Sequence, residues 1–277
     1  MGRALTARLL QSTDCKLFLV SSKNNFKCPG AKVYYGNLNN PKFCRRILKG
    51  IDIVYYLAGC KKNSLHHSQR PFDFMFGNVN PFLVFLKELA NSKIKKMIYL
   101  SSIFADLEIS KLVKDGYALG KYINELLLKA FVRQFNFSCA IVRSTTIYGP
   151  GDNFDPATAN FIPAMIDKTY KARNEAIVWG SGARKMQFIY VEDLVDNLIA
   201  VAKNNHDFYV FGNPQPVSVK KATSMIAGFL HKDVKVKYDL TKPDKPTKLF
   251  KFKNLIKPKF TIDRGLKNTI DYYLSNF

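Results

Sequence analysis

Ile51-Asp-Ile-Val-Tyr-Tyr-Leu57, Lys96-Met-Ile-Tyr-Leu-Ser101 and Phe137-Ser-Cys-Ala-Ile-Val142 are three short, almost wholly apolar runs. Two helical stretches separate them, Asn78 to Ser92 and Tyr117 to Phe135, the first with Phe82, Val84, Phe85, Leu86 and Leu89 on or near its buried side. Short continuous apolar runs suit strands buried on both faces. That burial occurs where helices cover both sides of a parallel sheet. The alternation predicts an α/β fold, a doubly wound parallel sheet.

Toward the N-terminus the same reading predicts a helix from Arg3 to about Gln11. Strands follow at Cys15–Val20 and Ala31–Tyr35, then a short helix at Pro41–Leu48. After Tyr148-Gly-Pro150 the pattern changes. A helix is predicted at about Asn160–Arg173 and a strand at Ala176–Trp179, closed by Gly180-Ser-Gly182. Phe188–Val191 reads as a strand feeding a helix at Glu192–Lys203. Asp207–Phe211 reads as a strand, Val217 to about Leu230 as a helix, and Ile262–Tyr273 as a last helix. Lys242-Pro-Asp-Lys-Pro246 marks a loop-rich, basic stretch. The expected division is a sheet domain at 1–150 and a mostly substrate-binding lobe at 151–277. Some segments of the lobe would return to the sheet.

The 277 residues suffice for one sizeable domain or a domain with a smaller lobe. No run approaches the ~18–20 apolar residues of a membrane span, and no basic segment leads into an apolar leader. Five cysteines, Cys15, Cys28, Cys44, Cys60 and Cys139, are widely spaced with no C-x-x-C pair, which fits reduced thiols in a cytoplasmic protein. The formal charge of +22 would draw any polyanion. Its lysines are scattered, however, and no zinc-finger spacing, RNP-like strand pair or Arg-rich tail accompanies them. A basic enzyme-like surface is favoured over a nucleic-acid role. His66 and His67 are adjacent and have no carboxylate at ligand spacing, so no metal site is expected.

Tyr117-Ala-Leu-Gly-Lys121 places a phenol and an ammonium on one helix face. Ser102, at the tip of the preceding strand, adds a hydroxyl. Such a trio suits proton transfer to or from a sugar hydroxyl or ketone while a nicotinamide moves a hydride. Met1-Gly2-Arg-Ala-Leu-Thr-Ala-Arg-Leu-Leu10 reads as the last glycine of a dinucleotide motif and its helix, without the strand and earlier glycines. A shortened chain with an incomplete phosphate cradle is expected; a chain that simply begins with a helix is the other reading. Ser21-Ser22-Lys23 follows the next strand in place of a carboxylate. That favours a 2′-phosphate, hence NADP, with NAD as the alternative.

With Leu100-Ser-Ser102, Tyr117-x-x-x-Lys121, Arg143-x-x-x-Ile-Tyr-Gly-Pro150, Val178-Trp-Gly-Ser-Gly182 and Phe188-Ile-Tyr-Val-Glu-Asp193 in this order, the chain resembles the extended short-chain dehydrogenase/reductases, the NAD(P)-dependent nucleotide-sugar epimerase/dehydratase family. Gly149-Pro-Gly-Asp-Asn-Phe-Asp-Pro156 and Asn160-Phe-Ile-Pro-Ala164 are similar to its GDP-L-fucose synthase branch. The resemblance implies a Rossmann-like fold with Tyr117 as general acid/base. Lys121 would hold the nicotinamide ribose and favour the phenolate, and Ser102 would bind the sugar oxygen. It implies cofactor contacts at Gly2, Ser21, Ser22, Asn37, Leu38, Ala58, Gly59 and Asn78, the last at the opening of its helix. It implies nucleotide-sugar contacts at Asn160, Trp179, Gly180 and Arg184. A homodimer through the two long helices is also implied.

The departures are specific. Phe104 and Asn160 stand where that branch has a cysteine and a histidine for epimerisation, and neither exchanges a proton at neutral pH. Ile103-Phe104 stands where dehydratases have Asp-Glu. The resemblance therefore implies hydride transfer at sugar C4 without the epimerisation pair. A catalytically impaired member that binds a ligand or partner is the alternative.

Overall fold

The computed structural model describes residues 1–11, 15–242 and 247–277, so most of the predicted Lys242–Pro246 loop lies outside the described residues. The chain forms two compact units. One comprises Gly2–Arg143 and Leu198–Tyr209; the other comprises Ser144–Asn197 and Val210–Phe277, with Met1.

The first unit opens with helix α1 (Gly2–Leu10), strands β1 (Phe18–Ser21) and β2 (Lys32–Tyr35), helix α2 (Pro41–Ile47) and strand β3 (Ile53–Tyr56). Helices α3 (Ser64–Gln69) and α4 (Pro71–Leu89) lead to strand β4 (Lys96–Ser102). A 3-10 turn at Ile103–Asp106, helix α5 (Ile109–Leu112), helix α6 (Gly116–Phe135) and strand β5 (Cys139–Ser144) complete the run. Sequence sets several of these ends. Asn40 caps α2 by accepting from the Phe43 N–H, with Pro41 at the first helical position. Asp115 caps α6 by accepting from Ala118, and Asn136 ends that helix in the left-handed region at φ 49°.

The second unit continues with β6 (Thr146–Tyr148), α7 (Phe161–Lys171), β7 (Glu175–Trp179), β8 (Lys185–Met186) and β9 (Phe188–Tyr190). Helix α8 (Val191–Ala202) and strand β10 (Phe208–Phe211) divide their residues between the two units. β11 (Val217–Ser218), α9 (Val219–Phe229), β12 (Lys235–Asp239) and α10 (Ile262–Asn276) finish the chain.

The strands form a four-stranded sheet in the order β10-β5-β4-β3, with β3 and β4 parallel, and separate two-stranded sheets. β1 and β2 pair in parallel, Phe18 opposite Lys32. β6 with β9 and β12 with β7 are also parallel, whereas β11 runs antiparallel to β8. The fold is α/β and Rossmann-like, with parallel strands and a C-terminal lobe.

The core of the first unit is aromatic. Tyr56, Phe82 and Tyr99 are buried, with ring centroids 4.9 Å apart for Tyr56–Phe82 and for Phe82–Tyr99. α4 and α6 cross closely because two glycines allow it. A Cβ on Gly116 would stand 1.9 Å from the Pro71 carbonyl oxygen, and one on Gly120 would stand 2.9 Å from the Asn78 Cβ. Lys96 is buried at the start of β4. Its ammonium donates to the carbonyls of Val201 (3.0 Å), Ala202 (3.4 Å) and Asn204, the last residues of α8 and its exit. The Ile141 N–H donates to the Asp207 carbonyl at 2.8 Å, which joins the β10 segment to β5.

Several expectations change. The helix predicted from Asn78 begins at Pro71, with α3 just before it. Pro81 lies inside α4. Val217–Ser218 is a strand, not the first turn of a helix; the Ser218 side chain caps α9 by accepting from Lys221. β12 forms where no strand is predicted, because Lys235-Val-Lys-Tyr-Asp239 alternates around charged residues and borrows its pairing from β7.

Candidate functional site

Ser102 ends β4, and its Oγ accepts from the Phe104 N–H at 3.3 Å, opening the 3-10 turn. Tyr117 and Lys121 lie one turn apart on α6, both buried, 8% and 4% exposed. The Lys121 Nζ donates to the Leu100 carbonyl at 2.8 Å. It stands 4.9 Å from the Tyr99 ring centroid and 5.9 Å from that of Tyr117. The Ser102 hydroxyl is near enough to the phenol to draw its pKa down. The structure thus brings Ser102, Tyr117 and Lys121 together.

Asn78 joins them from α4. Its Oδ1 accepts from the Cys60 N–H (3.1 Å), while its Nδ2 donates to the Cys60 carbonyl (2.9 Å) and the Phe74 carbonyl (2.6 Å). It sits in the middle of the helix, not at its opening, and works as a brace for the loop after β3. Gly59 belongs to that loop. A Cβ there would come within 3.1 Å of the Asn78 Oδ1 and 3.6 Å of the Lys121 Nζ. Ala58 precedes it, exposed.

Electrostatics follow from burial. Burial pushes the Tyr117 phenol up to about 12, against the pull of Ser102 and with the help of Asp115. Burial, then the like charge of Lys61, lowers Lys121 to about 7, and Glu125 opposes this. Desolvation is the largest of these effects on the phenol, so the structure as it stands keeps Tyr117 protonated. One further turn along α6, Glu125 is buried and accepts from the Ser101 hydroxyl and from Arg143, whose Nε and Nη2 approach at 3.0 and 2.8 Å. Arg143 also donates to Asp106 at 2.7 Å. This network fixes α6 to β4, β5 and the 3-10 turn.

The other predicted cofactor residues lie on separate elements of the same unit. Gly2 begins α1, exposed, with nothing near its Cβ position. Ser21 ends β1 and its Oγ accepts from the Lys23 N–H at 3.0 Å; Ser22 is exposed. Asn37 makes a local turn, accepting from the Asn39 N–H at 2.9 Å, and the Leu38 carbonyl accepts from the Cys44 thiol at 3.2 Å.

The predicted sugar-binding residues other than Ser102 belong to the second unit. Asn160 caps α7 without a side-chain bond to the helix. Trp179 ends β7 and is 57% exposed, so it is not core packing. Gly180 and Gly182 have φ of 82° and 77°, and a Cβ on Gly182 would meet the Tyr238 ring at 2.4 Å. The Gly180 N–H donates to Asp239 (3.0 Å), and the Arg184 carbonyl accepts from Val219 (2.9 Å).

Sequence reasoning missed four residues at the first site. Lys61 reaches over the Tyr117 ring, its Nζ 5.5 Å from the centroid. His67 is buried and stacks on that ring at 5.0 Å. Asp115 and Glu125 hold the start and middle of α6. The aspartate was visible as a helix-cap type two residues before Tyr117; the others had no sequence signal. Among the described residues, no group of three or more His, Cys, Asp or Glu side chains could hold a metal ion, and no helix is long and apolar enough to cross a membrane.

A parallel α/β unit with a serine, a tyrosine and a lysine gathered at the end of its sheet defines a class, and the comparisons agree with it. The NAD dependent epimerase/dehydratase family matches residues 1–212, and the chain belongs to that family. It is 26% identical to GDP-L-fucose synthase 1 of Arabidopsis thaliana over 253 residues, 81% of this chain and 77% of that one. Its fold is similar to that of UDP-glucose 4-epimerase of Thermotoga maritima, solved with UDP-glucose (TM-score 0.87, 17% identity, 99% of this chain and 95% of that chain). It is also similar to UDP-glucose 4-epimerase of Thermus thermophilus, solved with NAD (TM-score 0.84, 14% identity, 100% and 96%).

Proposed function

We propose that this chain is an NAD(P)-dependent oxidoreductase of nucleotide sugars that reduces a 4-keto group, with Tyr117 as proton donor. The single observation that carries the reading is the buried cluster of Ser102, Tyr117 and Lys121 beneath the Gly59 turn. The nicotinamide cofactor of the family fits these residues. Gly59 leaves open the space that a Cβ would fill next to Asn78 and Lys121, and Lys121 offers N–H donors to a ribose. When bound, the cofactor supplies the hydride.

The rest is the work of the chain. Ser102 orients the sugar oxygen by hydrogen bonding. Tyr117, held protonated by burial, donates its proton to the oxygen that becomes a hydroxyl. The phenol needs no activation to act as an acid at neutral pH, so the reductive direction suits the charge state better than proton abstraction. With Phe104 and Asn160 at the branch's epimerisation positions, double epimerisation is not part of the proposal. Asn78 braces the loop over the site. Ser21, Ser22 and Lys23 favour NADP over NAD. Gly2, Asn37, Leu38 and Ala58 complete the cofactor contacts. Asn160, Trp179, Gly180 and Arg184 contact the nucleotide sugar. The division into a cofactor-binding part (1–150) and a mostly sugar-binding part (151–277) belongs to the same reading. So does a homodimer through α4 and α6, supported by Phe72, Phe76 and Leu83 standing exposed on α4 and Leu126 on α6; sedimentation would report it.

The deciding experiment mixes the protein with NADPH or NADH and a nucleoside-diphosphate 4-keto-6-deoxy sugar. The expected result is loss of reduced nicotinamide absorbance, faster with NADPH, abolished by Tyr117→Phe. Cofactor binding without turnover on any 4-keto sugar nucleotide returns the ligand-binding alternative.

A further inference from the structure

α3 is a single short helix whose one buried side chain is His67. Its ring packs against two others. It stacks on Tyr117 at 5.0 Å and 21°, and Phe74 meets it edge-on at 4.8 Å and 66°. Both nitrogens face partners. The Nε2 accepts from the Lys62 N–H at 3.1 Å, so the proton of the neutral ring is on Nδ1. The Nδ1 faces the Asp115 Oδ1 at 3.5 Å. That same oxygen accepts from the Ala118 N–H at 3.0 Å and caps α6 two residues before Tyr117.

We propose that His67 is a positioning residue for Tyr117: fixed between the Lys62 amide and the Asp115 carboxylate, its ring clamps one face of the phenol and ties the Lys61-Lys62 turn to the start of α6. The proposal rests on the reading of Tyr117 as the proton donor. Three features support it over a histidine that merely fills the core. The stacked partner is the reacting group itself. The carboxylate that holds His67 is the cap of the helix that carries that group. The backbone amide it accepts from adjoins Lys61, whose ammonium reaches over the same phenol. A ring that slides costs orientation at the reacting oxygen, and orientation is where a displacement of about 1 Å can cost ~10²-fold in rate.

The test has two arms. In the first, nitrogen-15 NMR of the histidine rings is recorded on the full chain, which has only four histidines. The signal lost in His67→Phe should show the neutral Nδ1–H tautomer, and Tyr117→Leu should shift it. An Nε2–H tautomer, or no shift with Tyr117→Leu, overturns the proposal whether or not the protein is active. In the second arm, His67→Ala should lower kcat about ten- to a hundredfold, with KM for the sugar nucleotide moved less than about twofold. His67→Phe, which keeps a flat ring, should recover part of the loss. If His67→Ala proves too unstable, His67→Phe and Asp115→Asn, which retains a capping oxygen, carry the comparison. Melting temperature lowered with kcat unchanged in the folded variant also overturns it. A wild-type protein without turnover defeats the proposed reaction and leaves the first arm to decide His67.

Discussion

Gly120 of α6 passes so close to Asn78 of α4 that a Cβ would stand only 2.9 Å from the Asn78 Cβ. The helix that carries the phenol and ammonium is thereby seated against the helix that braces the Gly59 loop. Gly120→Ala should force the two apart and destabilise by about 1–3 kcal/mol, as overpacking does. Gly116→Ala, facing backbone at 1.9 Å, should cost more. Urea unfolding measures both; an unchanged midpoint for Gly116→Ala would refute the close crossing.

Lys121 links stability to pH. Its folded value, about 7, lies below its ordinary 10.5. Between these values the unfolded chain binds more protons, so stability rises with pH across that window. The contribution is complete above the ordinary value and is lost as pH falls through about 7. Lys121→Met should flatten the rise. Unfolding free energies of both proteins from pH 6.5 to 9.5 give the difference curve, and a flat curve contradicts the burial assigned to Lys121.

Tyr117→Phe should lower kcat by ~10²–10⁴-fold, the usual range for loss of a general acid. Fluorescence titration with NADPH should show nearly unchanged affinity, because the phenol oxygen is removed and the ring remains. Equal loss of binding and turnover would mean that Tyr117 holds the cofactor rather than moves a proton.

Glu125 and Arg143 form a buried pair, their side chains 2% and 13% exposed. Arg143→Met leaves a carboxylate without its main partner and should cost about 3–5 kcal/mol. Removing both charges, Glu125→Leu with Arg143→Met, should cost less than the sum of the single changes. Chemical denaturation of the three variants completes the cycle; strict additivity would show that the pair is not coupled.

Trp179 should separate stability from affinity. Its exposure predicts a stability change within about 0.5 kcal/mol for Trp179→Ala. If it contacts the nucleotide sugar, KM should rise while the melting temperature holds. A lowered melting temperature with unaltered KM would assign it to packing.

Much of this was legible beforehand because the informative features are local. Apolar runs marked β3, β4 and β5, and one turn of helix joined Tyr117 to Lys121. What escaped depends on distant partners. Lys235-Val-Lys-Tyr-Asp239 becomes a strand only because β7 offers it an edge. His67 looked idle because Asp115, the carboxylate it faces, comes from the start of another helix. The rise of the phenol's pKa could not be read either, since burial is a property of the packed site. Periodicity also missed the true start of α4 at Pro71, the turn that packs against Gly116 of α6.

The first unit is built from two separated lengths of chain, and this bears on how the protein is made. β5 gains its second neighbour, and Lys96 its three carbonyl acceptors, only when residues after Leu198 are available. A nascent chain still emerging from the ribosome carries the phenol and the ammonium long before that. Until the returning segment arrives, one border of the central sheet is bare and prone to sticking to other chains. Translation must therefore pass through the entire intervening stretch up to Asn197 before the half that carries Tyr117 can close.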